Sequence, residues 1–322
     1  MAHELDFTTD GQARMFYVQS EGQPWHGLGN AVPAPLTAED AIIAAGMDWT
    51  VNLKPVSNEF GVIADHFSVV RDDTRETFTV VKSRYTPVQN RQVFSFADQL
   101  GVSGMKYHTA GAIRGGRKVW VLGKLPGSIK VIGKDIVEKY VLFSTAHDGS
   151  QQIRAMLTPV RVVCSNTLHL AMLDGEYLFQ SKHTSEVHNK IKKAKDLFVD
   201  LAKKEAEFTT GCQRMALTNV NDEQIEAFLY SVLGYNVSDL SKEIPTRTKN
   251  SVAAMQDLAQ SGLGTDLDGV RGTLWGVYNA VTEYVDHHTT RREGTDHNDA
   301  IWFGSGATLK EKAWTKALEL AV

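Results

Sequence analysis

The residue pattern changes character near residue 166, and that division limits the folds open to this chain. Before it, β-branched and aromatic runs alternate with turn residues. After it, apolar residues recur at three- and four-residue steps. Strands followed by helices read as α+β: a mostly antiparallel sheet region in the N-terminal half packed with helices, and a helical C-terminal half. The chain has 322 residues, room for one large domain or two ordinary ones at roughly 100–200 residues each. The pattern assigns 1–180 to a sheet domain and 181–322 to a mainly helical region packed on it.

Residues 1–36 read as irregular. Thr37 to Asp40 has capping-box character and opens a short helix ending at Gly46. Trp49 to Val56 reads as a strand, and Phe67 to Arg71 with Glu76 to Lys82 as a hairpin around Asp72-Asp73-Thr74. A helix follows Asn90, with Val93, Phe94, Phe96, Ala97 and Leu100 on one face. Then comes a meander. Lys118 to Leu125 is turned by Pro126-Gly127, Ser128 to Ile132 continues, Ile136 to Thr145 follows, and Gln152 to Cys164 is interrupted at Pro159. Asn166 and Asn221 suit N-caps. Ser185 to Glu207, Ser251 to Gln260, Leu274 to Val285 and Ala307 to Ala321 read as helices. Leu240 to Asn250 and His287 to Asn298 read as loops.

Charge is unevenly distributed. Between Gly111 and Thr167 nine cations face three acids, a net of +6, on a chain whose total is −4. A basic, strand-rich patch on a mildly acidic protein points to a surface that meets a polyanion. Lys118, Trp120, Leu122 and Lys124 share one face of their strand. Arg114-Gly-Gly-Arg-Lys-Val-Trp120 joins cations and an aromatic. Cations release counterions from phosphates, and aromatics stack on unpaired bases. The expected contacts are Arg114, Arg117, Lys118, Lys124, Arg154 and Arg161 for phosphates, with Trp120 and Tyr107 for bases. The lysine-rich helix at 190–204 is interspersed with acids and reads as a solvated face.

Other chemistries find less support. No phosphate-binding P-loop, G-x-S-x-G or H-E-x-x-H occurs. His287, His288 and His297, with Asp286, Asp296 and Asp299, match no metal spacing and read as solvent-facing. Cys164 reads as a small buried hydrophobe rather than a nucleophile served by His147 and Asp148. The two cysteines, Cys164 and Cys212, form no CxxC pair and fit a reducing cytoplasm. Neither a signal peptide nor a run long enough to span a membrane is present in the sequence. The expectation is thus no catalytic residue, no metal and no cofactor.

Several motifs together resemble a known family. They are Pro24-Trp-His-Gly-Leu-Gly29, Tyr85-Thr-Pro-Val-Gln-Asn90, Gly115-Gly-Arg-Lys-Val-Trp120, His147-Asp-Gly-Ser150, Pro159 to Thr167, and Leu274 to Asp286 with Trp302-Phe-Gly-Ser-Gly306. The chain resembles the phage/plasmid-like family carrying domain of unknown function 932, over almost its whole length. The resemblance implies a gene of phages, prophages or plasmids and supplies no catalytic residues. By analogy of architecture and charge alone, the chain is similar to the annealing recombinases of mobile elements.

The leading expectation is a non-enzymatic single-stranded nucleic-acid-binding, strand-annealing protein, cytoplasmic and homo-oligomeric. One alternative is a protein-interaction module aimed at a host or phage factor, which requires a hydrophobic rather than basic exposed face. Another is a metal-dependent hydrolase or nuclease.

Overall fold

A computed structural model describes residues 5–21, 28–99, 104–161, 166–167, 178–193, 201–236, 243–289, 300–301 and 304–321. Its strands are β1 (Met15–Val18), β2 (Asn30–Val32), β3 (Val51–Asn58), β4 (Gly61–Arg71), β5 (Thr77–Val81), β6 (Lys106–Ile113), β7 (Lys118–Ile132), β8 (Asp135–Ala146), β9 (Ile153–Leu157), β10 (Val160–Arg161), β11 (Asn166–Thr167) and β12 (Phe179–Ser181). The helices are α1 (Ala38–Ala44), α2 (Asn90–Gln99), α3 (Val187–Lys193), α4 (Leu201–Leu217), α5 (Asp222–Val232), α6 (Thr246–Ser261), α7 (Leu274–Glu283) and α8 (Ser305–Leu320). Strands precede most helices, and the fold is α+β.

A nine-stranded sheet runs β11-β10-β8-β7-β6-β1-β2, with β9 on the far half of β8 and β12 beyond it. All its pairings are antiparallel except β1 with β2. A separate three-stranded sheet runs β3-β4-β5.

The alternation along β7 divides two cores. Val119 and Val121 enter a cluster extending from Val69 and Phe78 of the small sheet, through Phe143 of β8, to Phe208, Trp275, Tyr278 and Trp314 of the helices. Trp120 and Leu122 point the other way. There they meet Leu5, Ala13, Met15, Ile113, Tyr140, Leu142 and Met156 in a second, smaller cluster. The N-terminal segment that covers this face is tied down by backbone pairing of Leu5 with Ile113, by Asp6 N–H donating to the Ala112 carbonyl at 2.9 Å, and by β1 against β6. Each large apolar side chain buried this way contributes about 1.5–3 kcal/mol. Residues read as irregular thus form the second cover of the sheet.

Local signals held at the helix starts. Thr37 Oγ1 accepts from the Asp40 backbone N–H, and Asn221 with Gln224 completes a reciprocal capping box. Other boundaries moved. Pro126-Gly127 does not end a strand: β7 runs through it, with the register against β8 shifting between Lys124 and Ser128. A bulge accommodates proline's missing N–H. Asn166 lies in β11, paired to Arg161, and caps no described helix. Of the helix expected over Ser185 to Glu207, Ser185 and Glu186 form a turn, the other described residues are helical in α3 and the start of α4, and α4 continues to Leu217. Thr246 to Asn250, read as loop, is the first turn and a half of α6. Cys164, His297, Asp296, Asp299, Trp25, His26, Trp302 and Phe303 lie outside the described residues.

Candidate functional site

The basic segment centres on the turn between β6 and β7. Arg114, Gly115 and Gly116 take consecutive left-handed conformations, with φ of 55°, 65° and 88°. Glycine is required at 116, because a Cβ there would lie 2.5 Å from Arg71 Nη1. The turn is docked onto the small sheet. The Arg71 guanidinium is 1% exposed and donates to Asp6 Oδ2 at 2.6 Å, to the Gly115 carbonyl at 3.0 Å and to Asp73 Oδ1 at 2.6 Å. It also stacks 4.1 Å from the Trp49 ring centroid. Burial works against the Arg71 charge, but Asp73 and Asp6 outweigh it and hold its pKa above the ordinary value. Burial likewise pushes the Asp73 carboxyl up, and Arg71 outweighs this and lowers it.

The side chains expected to meet nucleic acid are distributed as follows. Arg117 donates to Glu76 Oε1 at 2.7 Å and lies over Phe78. Lys118 is 8% exposed. Lys124 pairs with Glu138 at 2.8 Å, about 20 Å along the strand from Lys118. Arg154 is half-buried in β9, opposite Ser144. Arg161 lies in β10 opposite Val137, its side chain outside the description. Trp120 is 3% exposed in the second core. Tyr107 is 2% exposed and donates its hydroxyl proton to the Phe94 carbonyl at 2.6 Å. Arg114 and Arg117 therefore share a turn, with Lys118 next to it. Lys124 sits apart against a carboxylate, and the two aromatic rings present no open face to a base. Lys139, elsewhere in the segment, pairs with Glu205 at 2.8 Å.

Beside the docked turn lies a buried polar cluster. Asn90 Nδ2 donates to the Met47 and Trp49 carbonyls, so its Oδ1 faces His147 and accepts from Nε2–H at 2.9 Å. His147 is fully buried against Trp49 and Phe78, and burial depresses its pKa to about 3. Tyr85 donates to the His147 carbonyl and stacks on His183, whose Nε2 contacts Thr145 Oγ1 at 2.9 Å. Burial lowers the His183 pKa as well. A neutral imidazole with one nitrogen committed to an amide is suited to fixing Asn90, not to activating a nucleophile.

In the helical half, the chain beyond α7 makes a single π-type turn, Tyr284–His288. Asp286, expected at the surface, is buried and accepts from Lys310 Nζ at 2.8 Å, with Lys310 2% exposed. Among the described residues no three His, Cys, Asp or Glu side chains converge as metal ligands. No described helix is long and apolar enough to cross a membrane.

The sequence reading found strands at Trp49 to Val56 and Phe67 to Arg71 but missed the turn that joins them and the outer start of β4. Strands β3 and β4 form a hairpin whose outer half projects past β5, since the last β5 partner of β4 is Phe67 with Val81. Its two-residue tip is Glu59-Phe60, closed by Asn58 Oδ1 accepting from the Phe60 N–H at 2.9 Å and by Gly61 at φ 116°. Phe60 is 88% exposed and Val62 71%. The Asn58…Gly61 spacing between alternating residues was the available signal.

Neither a curated protein nor a solved structure matches this chain. A family model described as domain of unknown function (DUF932) matches residues 77–302, and the chain belongs to that family.

Proposed function

We propose that this protein is a non-enzymatic interaction module of a phage, prophage or plasmid, and that it meets a protein partner through the β3–β4 hairpin. The supporting observation is the tip itself. Phe60 and Val62 are the two most exposed large hydrophobics of this hairpin, whose outer half runs past the Phe67–Val81 pair with Asp65 accepting from the Ser83 N–H at 3.1 Å. Turn positions favour Gly, Asn and Asp, so a phenylalanine there answers to something other than local folding. An exposed apolar face was the requirement that separated this reading from nucleic-acid binding. Two of the six cations proposed for phosphates, Arg117 and Lys124, are paired with Glu76 and Glu138, and a cation already paired releases fewer counterions.

The test has two arms. A photo-crosslinking residue placed at position 60 and irradiated in living cells gives discrete protein adducts that Val62→Ser suppresses. Fluorescence anisotropy with labelled single and double strands across salt gives no binding that Arg117→Ala and Lys118→Ala abolish. Absence of any adduct refutes the interaction reading. Tight, salt-dependent oligonucleotide binding lost in the two cation variants restores the nucleic-acid one.

A further inference from the structure

The β3–β4 hairpin is broken between its inner and outer halves. Pairing stops at Pro55 with Phe67 and resumes at Ser57 with Val62, so four residues of β4, Ile63 to His66, oppose Val56 alone. Extra residues on one strand interrupt the ladder and bend the strand that carries them. Asp65, inside the break, takes a left-handed backbone at φ 58°. That conformation costs energy for a residue with a Cβ and persists where the surroundings hold it.

The holding contact is specific. Outside the β3–β4 ladder, the described polar ties of residues 56–66 to the rest of the chain both run through the Asp65 carboxylate. Its Oδ1 accepts from the Ser83 N–H at 3.1 Å, and its Oδ2 lies 3.9 Å from Lys82 Nζ. The Lys82 contact is solvent-exposed at both ends and contributes little. Hydrogen bonding by Ser83 holds the Asp65 carboxyl below its ordinary pKa. Among the described residues, none of Val56, Phe60, Val62 and Ile63 joins either apolar core cluster. The tip is closed on itself by Asn58 Oδ1 and the Phe60 N–H.

We infer that the outer half of the hairpin is a hinged ribbon: residues 63–66 are the hinge, and Asp65, held against Ser83, is the latch that fixes the direction in which Phe60 points. This rests on the reading of the hairpin as the contact element and adds how that element is presented. Latched, the tip meets its partner with its direction already set, and little freedom is lost on contact. Unlatched, the same residues must be ordered at that moment, which weakens binding.

Residual dipolar couplings on the full chain, weakly aligned in a dilute liquid-crystalline medium, test this. They read the directions of the Phe60, Gly61 and Val62 amides against those of the sheet. In the wild type the tip amides fit the sheet's own alignment. Asp65→Gly removes the latch without straining the backbone, because glycine adopts a positive φ freely. Its tip couplings shrink together, while cross-strand proton contacts between Ser57 and Val62 persist. The Ser83 amide exchanges about tenfold faster, the factor for a hydrogen bond of about 1.4 kcal/mol. Asp65→Asn keeps an acceptor oxygen and tolerates the left-handed backbone, so it retains the wild-type couplings. Unchanged tip couplings in Asp65→Gly overturn the proposal, since the ribbon is then stiff without a latch. So do wild-type tip couplings that are already averaged. Loss of the Ser57–Val62 contacts in Asp65→Gly also overturns it, because that means fraying and not a hinge. These readouts need no partner, and crosslinking at position 60 needs no hinge. A stiff ribbon that still gives adducts sinks the latch alone, and a working latch without adducts sinks the contact reading alone.

Discussion

Acid should destabilise this protein through His147, by an amount the burial fixes. An unfolded imidazole titrates near 6.5, whereas burial holds the folded one at about 3. The folded pKa is depressed, so below 6.5 the unfolded chain takes up a proton that the native one refuses. Stability therefore falls as pH drops from 6.5 toward 3, and the group contributes no further change outside that window. Integrating the two titration curves between pH 7 and pH 5 gives a loss of about 2 kcal/mol from this side chain alone. With a urea m-value of about 3 kcal/mol/M, the midpoint moves down by about 0.7 M. Carboxylates and His183 also titrate, so the comparison to make is with His147→Gln, which keeps a donor for Asn90 and has no titrating ring. Urea unfolding of both proteins at pH 7 and pH 5 gives two midpoint shifts, and the variant should be less acid-sensitive by that 2 kcal/mol. Equal shifts would refute the reasoning. So would an NMR titration in which the His147 ring protonates between pH 5 and 7 in the folded protein.

Other expectations concern the ion pairs and the turn. Arg71→Ala removes the nearer of the two guanidinium partners of buried Asp6, leaving Arg14 at 3.2 Å, and should cost about 3 kcal/mol by chemical denaturation, whereas a double-mutant cycle on the more exposed Arg117–Glu76 pair should give no more than about 1 kcal/mol. Lys310→Met should destabilise by about 3–5 kcal/mol, and adding Asp286→Leu should recover most of that loss, since a buried pair removed whole leaves no uncompensated charge. Gly116→Ala should unfold at lower temperature than wild type through both the left-handed backbone and the contact with Arg71. Phe60→Ser should change the stability of the isolated chain by less than about 0.5 kcal/mol, which calorimetry at low concentration would check.

The order of elements was legible because period two and period 3.6 leave separate marks, and because caps such as Thr37 and Asn221 are local chemistry. What the pattern leaves open is whether a face is covered. Alternation correctly put Lys118, Trp120 and Leu122 on one side of β7, yet the cover is a segment about a hundred residues earlier with no periodicity of its own. Charge has the same blind spot. A net of +6 over one segment says nothing about Glu76 or Glu205, which reach Arg117 and Lys139 from far along the chain. Asp286 read as surface because its neighbours are polar, while its actual partner, Lys310, lies on another helix. The hairpin tip had a local signature in Asn58…Gly61, but its isolation from the third strand depends on where β5 ends.

The sheet's second cover also sets a schedule for birth on the ribosome. Leu5 emerges well ahead of Met156, against which its cluster closes and which is added about 150 residues later. At about 5–20 residues per second the early segment waits roughly 8–30 s in the open. Throughout that interval its apolar groups are within reach of holding chaperones, and Trp120 gains its lid only when the segment returns to dock. Slowing elongation within residues 113–156 should therefore lower soluble yield without touching the finished protein.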